Sequence, residues 1–431
     1  MVQSKNIWKS PIIILVTILF GLLIRVYITP LNQQGDIQVH QEWSRIIYQQ
    51  RPLGSYFFSN WTYTPPTQPP LMLLGFWTSQ HIYQNRYLLS QIHNQIHLPP
   101  ASFIIWFDKN GEWLLLKSWA ILGDILSALI VYILVKNITH NYLYAYLGII
   151  FVLFNPVSIF ESAYWGQNDI VGALFLYLSL YLLLSLRYSY LSLPLFIISV
   201  LLKPTTLILS PLLLYVFIQK FNYSLLLQQL IGLVFSLIIL IICFQPFVKS
   251  TLEIKDIISQ RIVTSAKGTV KASHSAFNFY SLVFTLDKTN ADYKIFNIPL
   301  STYSILIYLL LNLTIAIFIL KSKPSIVNYL VSAYILSQGS FLFMTGMMER
   351  YFFPAFLAAT ILMTINFHHL KYVLFLQQIC WFINLVFARP QSVILVKSFS
   401  LISLCLFFYI FYTTIYPLIA SNSTAANHQD V

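Results

Sequence analysis

Apolar runs of about 20 residues recur along nearly the whole chain, and they restrict its possible folds more than any other feature. A hydrocarbon layer about 30 Å thick is crossed by roughly 20 helical residues, because a helix pairs its own backbone polar groups. We therefore predict membrane-spanning helices at 11–29, 118–135, 143–160, 170–186, 225–243, 301–320, 326–344, 352–367, 372–388 and 393–416.

The composition supports the same class. Of 431 residues, 58% are hydrophobic and only 9% are charged, whereas a soluble domain carries about a quarter charged residues. This excludes an ordinary soluble enzyme, a coiled coil and a disordered chain. The formal net charge is +12, but the basic residues fall in loops and form no dense run. That distribution favours membrane orientation and anionic substrates over nucleic acid as a partner.

One apolar stretch, 190–218, is too long for a single span and is interrupted by Lys203 and Pro204. We predict two short helices, 190–202 and 205–218, that meet at a break. Broken backbone at membrane depth persists only where protein or a wet cavity surrounds it. The predicted fold is an all-α polytopic membrane protein with about twelve transmembrane helices.

The basic loop residues set the predicted orientation. Placing Lys5 and Lys9 in the cytoplasm also places the lysines of the later short loops there, provided that 190–218 crosses twice. Two large loops, 30–117 and 244–300, then lie outside.

The predicted domain organisation follows from these spans. We expect one transmembrane domain over 1–416, followed by a polar tail at 417–431. Within the first outer loop, the apolar pieces 71–77 and 101–107 are too short to span and favour interfacial helices.

Asp36 is the candidate catalytic acid, because it follows the first span closely and would lie near the lipid headgroups. There a carboxylate could act as a general base on an acceptor hydroxyl that it reaches by a hydrogen bond. The alternative is a solvated loop acid or a cap for a helix at 37–50.

Four further residues are candidates for binding an acceptor or a sugar. Trp165, Gln167 and Asp169 combine an aromatic face, an amide and an acid at the start of a span, although capping and interfacial anchoring are the alternatives. Asp124 lies inside a predicted span, where an ionisable residue is costly and is by default functional or paired. Its alternatives are a helix–helix hydrogen bond and an ion pair with Lys117 or Lys203.

The cations Lys203, Arg261 and Arg350 fall on the same predicted side and could bind phosphate. Each could instead contact lipid headgroups. The sequence contains no metal-ligand spacing, no phosphate-binding glycine loop and no nucleophile elbow, so we predict no metal, no cofactor and no nucleotide hydrolysis.

Seven short segments, taken in order, resemble the integral-membrane GT-C glycosyltransferases that use polyprenyl-phosphate sugars. The similarity is to the dolichyl-phosphate-glucose-dependent glucosyltransferases of N-glycan assembly and to bacterial relatives of the second mannosyltransferase of GPI-anchor synthesis. The segments are 35–43 with Asp36, 64–71 with paired prolines, 117–126 with Asp124, 164–169, 203–204, 275–280 and 346–354.

The resemblance implies a GT-C-like fold with a large first extracytoplasmic loop that carries interfacial helices. It implies that Asp36 is the catalytic base, and that Asn278, Glu349 and Arg350 belong near the pocket for the lipid-phosphate donor. Two positions depart from the family pattern. Met348 stands where many relatives have histidine, and Gln38 stands where some have a second acid, which weakens any metal site.

The predicted function is an inverting transfer of a hexose, mannose or glucose, from a polyprenyl-phosphate donor to a lipid-linked or surface glycan on the extracytoplasmic face. The expected location is a bacterial inner membrane. The alternative is a secondary transporter or a flippase for lipid-linked glycans, although the two halves of the chain show no similarity of the kind that transporters commonly have. A glycan polymerase or ligase with pyrophosphate-linked donors is a further alternative.

Overall fold

The structure is a computed structural model that describes residues 10–185, 187–263, 271–366, 370–388 and 392–415. It is 78% helical, which confirms the predicted all-α class. The predicted tail at 417–431 and the two N-terminal lysines used for orientation lie outside the described residues.

Seven helices in the described part of the chain are long and apolar enough to cross a membrane, so the protein is a multi-pass membrane protein. These helices are Pro11–Leu31, Ala101–Thr139, Tyr142–Trp165, Tyr223–Phe247, Leu300–Lys321, Ile326–Phe343 and Val393–Thr414. Five shorter apolar helices cover the remaining predicted segments. They are Asp169–Leu183, Ser189–Leu202, Pro204–Gln219, Phe353–Thr364 and Lys371–Phe387.

The α-helices are numbered here in chain order. Those of the first half are α1 (Pro11–Ile28), α2 (Asp36–Gln50), α3 (Pro70–Gln84), α4 (Tyr87–Ile96), α5 (Ala101–Thr139), α6 (Tyr142–Leu153), α7 (Pro156–Ile159), α8 (Asp169–Leu183), α9 (Ser192–Leu202) and α10 (Ser210–Gln219). Those of the second half are α11 (Tyr223–Phe244), α12 (Thr251–Asp256), α13 (Phe279–Val283), α14 (Leu300–Lys321), α15 (Ile326–Phe343), α16 (Phe353–Thr364), α17 (Lys371–Phe387) and α18 (Val393–Thr414).

Helix α5 corrects the prediction for the end of the first outer loop. The interfacial piece at 101–107 and the span at 118–135 are parts of one helix of 39 residues. At 1.5 Å per residue this helix is about 58 Å long, nearly twice the hydrocarbon thickness. No proline interrupts residues 101–139, and the acids of the intervening turns are paired, Asp108 with Arg86 and Glu112 with Arg45. The helix therefore continues well beyond the bilayer core.

The rest of the first loop packs onto this long helix. Helix α3 begins at Pro70, after an extended Pro69, and proline suits the first turn of a helix because its missing N–H would have no partner there. It buries Met72, Leu73 and Phe76 in the main hydrophobic core, together with residues of α2. The predicted helix at 71–77 is thus present, but it is integrated into the fold and does not lie on the membrane surface alone.

The membrane-spanning stretch Tyr142–Trp165, which covers the span predicted at 143–160, consists of three consecutive helical pieces. Helix α6 ends at Leu153, and Asn155 caps the short α7 by accepting a hydrogen bond from the Val157 N–H. A π-helical turn, Phe160–Trp165, follows and ends at Gly166, whose φ is +84°. The sharp turn after the π-helix begins the segment that carries Gln167 and Asp169.

The break predicted at Lys203 and Pro204 is confirmed. Helix α9 ends at Leu202, Lys203 is extended, and a 3₁₀ turn, Pro204–Leu209, leads into α10. A residue before proline is driven to extended backbone by the proline ring, which accounts for the position of the break.

Short strands join the second large loop to the late motif. Strand β1 (Ser273–His274) pairs in parallel with β4 (Met347–Met348). Strands β2 (Lys294–Ile295) and β3 (Ile298–Pro299) form a small antiparallel pair. The β1–β4 pairing fixes the turn after α15, and with it the residues Glu349 and Arg350.

Candidate active site

Asp36 is the first residue of α2, directly after Gly35, whose φ is +76°. Its side chain is 43% exposed. The Oδ2 atom accepts a hydrogen bond from Nε2 of Gln167 at 2.6 Å and lies 3.6 Å from Nη1 of Arg350. The Oδ1 atom accepts no hydrogen bond from any described residue. One carboxylate oxygen is therefore anchored, and the other can receive a proton.

Arg350 is the centre around which the candidate residues gather. Its Nη1 lies 3.1 Å from Oε1 of Glu349, and its Nε lies 3.6 Å from Oδ2 of Asp169. The guanidinium carbon lies 5.1 Å from the ring centre of Trp165, a cation–π arrangement. One buried cation thus connects the late motif, the first loop and the segment before α8.

Lys203 adds a second cation. Its Nζ lies 2.8 Å from Oδ2 of Asp169, and both side chains are buried. Close packing of the broken helix on α8 makes this contact possible, since a Cβ at Gly172 would lie only 2.7 Å from the Cβ of Lys203. We refer to Asp36, Trp165, Gln167, Asp169, Lys203, Glu349 and Arg350 together as the Arg350 cluster.

Glu161 holds the turn that presents Gln167. Its carbonyl oxygen accepts hydrogen bonds from the N–H groups of Gly166 and Gln167, each at 2.9 Å. Its carboxylate accepts the N–H of Asp169 at 2.9 Å. A Cβ at position 166 would lie 2.8 Å from Cδ1 of Ile37, so only glycine allows the turn to approach the start of α2. This close approach puts Gln167 next to Asp36.

Lys117 contacts both the chain that precedes Asp36 and the π-helical turn that precedes Gln167. Its buried Nζ lies 2.8–3.0 Å from four carbonyl oxygens, which share the three N–H donors of the ammonium group. Two belong to Thr29 and Asn32 at the end of α1, and two belong to Ala163 and Tyr164 in the π-helical turn. An ammonium group is well suited to helix C-termini, where carbonyls lack intrahelical partners. Lys117 therefore fixes the distance between the chain before Asp36 and the chain before Gln167.

His40 belongs to this region but was not predicted. It lies one turn after Asp36 on α2 and is buried. Burial lowers the pKa of His40 to about 4, although the nearby Asp36 carboxylate opposes this shift. The ring stacks on Phe76 with 4.6 Å between centroids. The spacing of Asp36 and His40, four residues apart on a predicted helix, is the sequence signal that could have identified it.

Buried polar atoms without a hydrogen-bond partner are concentrated here. In the described part of the chain these atoms include Oδ1 of Asp169, Oε2 of Glu161, Oε2 of Glu349 and Nδ1 of His40. Burial also raises the pKa of Glu349, an effect that the Arg350 charge partly offsets. Folded proteins pair nearly all of their buried polar groups, so a concentration of unpaired ones is typical of a site that receives a ligand or water.

Asp124 lies apart from the Arg350 cluster. Its Oδ2 is 2.7 Å from Nε of Arg25 and accepts a hydrogen bond from Ser162 at 2.6 Å, with both charged side chains 0% exposed. The pairing partner is neither of the two lysines considered from the sequence. The remaining guanidinium nitrogens donate to the Leu153 carbonyl and to Ser158. Asp124 is thus held in a fully buried ion pair, and a role for it in binding a sugar stays a prediction.

Asn278 caps a helix, and its predicted place near the donor pocket stays a prediction. Its Oδ1 accepts the N–H groups of Tyr280 and Ser281 at the start of α13, and its Nδ2 donates to the Phe341 carbonyl. The residue is fully buried and acts as a helix cap. Its side chain is therefore occupied, and no contact with a donor phosphate follows from its position.

Arg261 is not in contact with the Arg350 cluster in the described structure. It lies in a π-helical turn, Ile257–Val263, with its guanidinium carbon 5.6 Å from the Phe57 ring centre. Its Nε is buried and has no hydrogen-bond partner among the described residues. A role for Arg261 in binding the donor stays a prediction.

Comparison with known proteins gives no match: no protein-family model and no curated protein matches this chain. Among the described residues, no group of three or more His, Cys, Asp or Glu side chains is arranged to hold a metal ion.

Proposed function

We propose that this chain is a GT-C-like membrane glycosyltransferase that transfers a hexose, mannose or glucose, from a polyprenyl phosphate to a glycan acceptor on the extracytoplasmic face, with inversion. The seven long helices and five shorter apolar helices correspond in order to the twelve predicted segments, which supports a twelve-span architecture. The acceptor is a lipid-linked or surface glycan.

The arrangement of Asp36 carries the proposal. A carboxylate that acts as a general base needs one oxygen that can approach the acceptor hydroxyl. It also needs contacts that hold the carboxylate in place. Gln167 and Arg350 hold Oδ2 of Asp36, whereas Oδ1 faces no described donor and the side chain is partly exposed. No other acid of the Arg350 cluster combines these properties, because Asp169 and Glu349 are buried.

Arg350 and Lys203 would stabilise the leaving group. As the bond to the sugar breaks, negative charge grows on the polyprenyl phosphate, and preorganised cations in a water-poor site stabilise that charge strongly. Arg350 is well placed to bind phosphate with two nitrogens. In the structure it is shared among three carboxylates. Of these, Glu349 has a pKa raised by burial, an effect that the Arg350 charge opposes.

The proposed step balances in atoms and charge. The acceptor hydroxyl gives its proton to Oδ1 of Asp36, and its oxygen bonds to the anomeric carbon on the face opposite the phosphate. The bond from that carbon to the phosphate oxygen breaks, and its electron pair leaves on the phosphate. Backside attack inverts the anomeric configuration. Trp165 is partly exposed in the same region and is available to contact the transferred sugar, whereas the buried Gln167 holds Asp36 in place.

The proposal is tested with the purified full-length chain, a panel of radiolabelled polyprenyl-phosphate sugars and a membrane extract as the acceptor. We expect transfer from a mannosyl or glucosyl polyprenyl phosphate, with inverted configuration in the product. Transfer from a pyrophosphate-linked donor alone would indicate a polymerase or ligase. Counterflow of labelled solute in liposomes without any glycoside product would indicate the transporter alternative and would overturn the proposal.

A further inference from the structure

A polar cavity lies between α2, α3 and α5, outside the Arg350 cluster. Its volume is about 360 Å³, and its walls carry three glutamines, two tyrosines and one ion pair. Ligand pockets for small molecules start at roughly 300 Å³. The cavity is therefore large enough for a small ligand, and its wall chemistry is different from that of a lipid-facing groove.

The ion pair forms a rigid, neutral wall of this cavity. Arg45 donates from Nε and Nη2 to the two oxygens of Glu112, at 2.7 and 2.5 Å. Gln41 also donates to Glu112, at 2.6 Å. The two charges cancel, and Glu112 is buried. The cavity therefore has no net charge from this pair that would attract an ionic ligand.

The glutamines supply unused hydrogen-bonding groups. Gln80 is 2% exposed, and its Oε1 accepts a hydrogen bond from Ser44, but its Nε2 donates to no described residue. Gln49 and Gln84 also line the cavity, and both are exposed. Each amide offers donors and an acceptor. Amide groups that line a cavity can bind a ligand that carries hydroxyl groups.

The tyrosine rings add apolar faces whose orientation is fixed. The hydroxyl of Tyr83 donates to the Asp108 carbonyl at 2.8 Å, and the Arg86 guanidinium lies over the ring at 4.4 Å. Tyr48 packs edge to face with His81, with 5.4 Å between centroids. A ligand in this cavity thus meets ring surfaces and amides together, without a net charge.

We propose that this cavity binds neutral sugar residues of the acceptor glycan, at a distance from the hydroxyl that reacts. A neutral sugar presents C–H faces to aromatic rings and hydroxyls to amides, which is the chemistry of these walls. The inference rests on the proposed function. Helix α2 connects the two sites, because Asp36 begins it and Arg45, Tyr48 and Gln49 follow about 14–20 Å further along its axis. An extended acceptor can therefore occupy both.

The test compares two double variants of the full-length protein. Gln49→Ala with Gln84→Ala removes two exposed amides from the cavity. Gln50→Ala with Gln91→Ala is the matched control, since these exposed glutamines lie on α2 and α4 but do not line the cavity. Binding is measured without donor, using fluorescently labelled neutral gluco-, manno- and galacto-oligosaccharides of two to five units.

We expect at least one of these probes to bind the unmodified protein. The cavity variant should weaken that binding roughly tenfold, as the loss of two neutral hydrogen bonds implies, and the control should not change it. Asp36→Asn should bind as the unmodified protein does, which separates failure of this inference from failure of the proposed catalysis. Absence of binding by every probe, or equal binding by the two double variants, would overturn the inference.

Discussion

Two buried arginines in this protein have opposite surroundings. Arg25 is fully enclosed, donates at 2.7–3.2 Å to Asp124, Ser158 and backbone carbonyls, and shares its carboxylate with Ser162. Arg350 meets three carboxylates at 3.1–3.6 Å, and one of them, Asp36, is partly exposed.

The difference shows that an intramembrane ion pair is not by itself a sign of function. Charges that are buried and tightly paired, such as Arg25 and Asp124, are well suited to joining α1, α5 and the π-helical turn. Charges that are loosely shared and surrounded by unpaired polar atoms can exchange partners when a ligand arrives. The first arrangement is well suited to holding helices together, and the proposed catalysis belongs to the second.

The largest expected effect concerns the buried ion pair of Arg25 and Asp124. Asp124→Leu leaves the Arg25 charge buried and uncompensated, so the free energy of unfolding should fall by about 3–5 kcal/mol. The double variant Arg25→Leu with Asp124→Leu should recover most of that loss, because no charge is left unpaired. Unfolding in detergent micelles measures both. Loss of transfer by a stable double variant would place Asp124 in the active site after all.

The pH dependence of stability tests the environment of His40. Its folded-state pKa of about 4 lies below its ordinary value of 6.5, so the unfolded chain binds the proton more readily. The contribution of His40 to stability is complete above about pH 6.5 and is lost as the pH falls towards 4, by about 3 kcal/mol. His40→Gln should flatten the stability profile in that window. An unchanged slope would show that His40 is solvated.

Arg350→Lys keeps the positive charge in the Arg350 cluster but replaces the planar guanidinium group with an ammonium group. Because a point charge cannot bind phosphate with two parallel hydrogen bonds, we expect transfer to fall roughly 100-fold. The unfolding temperature should change little. The measurement is kcat and KM for the donor in the purified protein. Equal transfer rates for the variant and the unmodified protein would contradict a bidentate contact between Arg350 and the donor phosphate.

Lys117→Met tests whether the spacing between Asp36 and Gln167 matters. Four carbonyls lose their shared donor, so we expect some loss of stability and a roughly tenfold lower kcat with little change in donor KM. Lys109→Met, at an exposed position on the same helix, is the control and should leave both unchanged. A loss of stability at unchanged kcat would reduce Lys117 to a purely structural role.

Hydropathy was sufficient to predict most helices, because membrane burial imposes long apolar runs. The break at Lys203 followed from proline chemistry. The 39-residue length of α5 could not be predicted from hydropathy. Its continuation through residues 108–117 depends on two ion pairs, Glu112 with Arg45 of α2 and Asp108 with Arg86.

The site was predictable only in part. Asp36, Trp165, Gln167, Asp169, Lys203, Glu349 and Arg350 come together as one cluster from motifs far apart in the chain. Asp124 and Asn278 are also acidic or amide side chains, but both are already paired. Asp124 forms an ion pair with Arg25, and Asn278 caps the start of a helix. Sequence alone does not distinguish a polar residue that is already paired from one that is open to a ligand, because the partner is set by tertiary packing.

The most direct test of the central claim is the transfer rate of Asp36→Asn with a polyprenyl-phosphate sugar that the unmodified protein uses. Asparagine keeps the size of the side chain but cannot accept the proton, so the rate should fall roughly 1,000-fold while the unfolding temperature is unchanged. Asp108→Asn, in the exposed pair with Arg86, should retain full activity. Full activity of Asp36→Asn would contradict the assignment of Asp36 as the base, and with it the catalytic role of the Arg350 cluster.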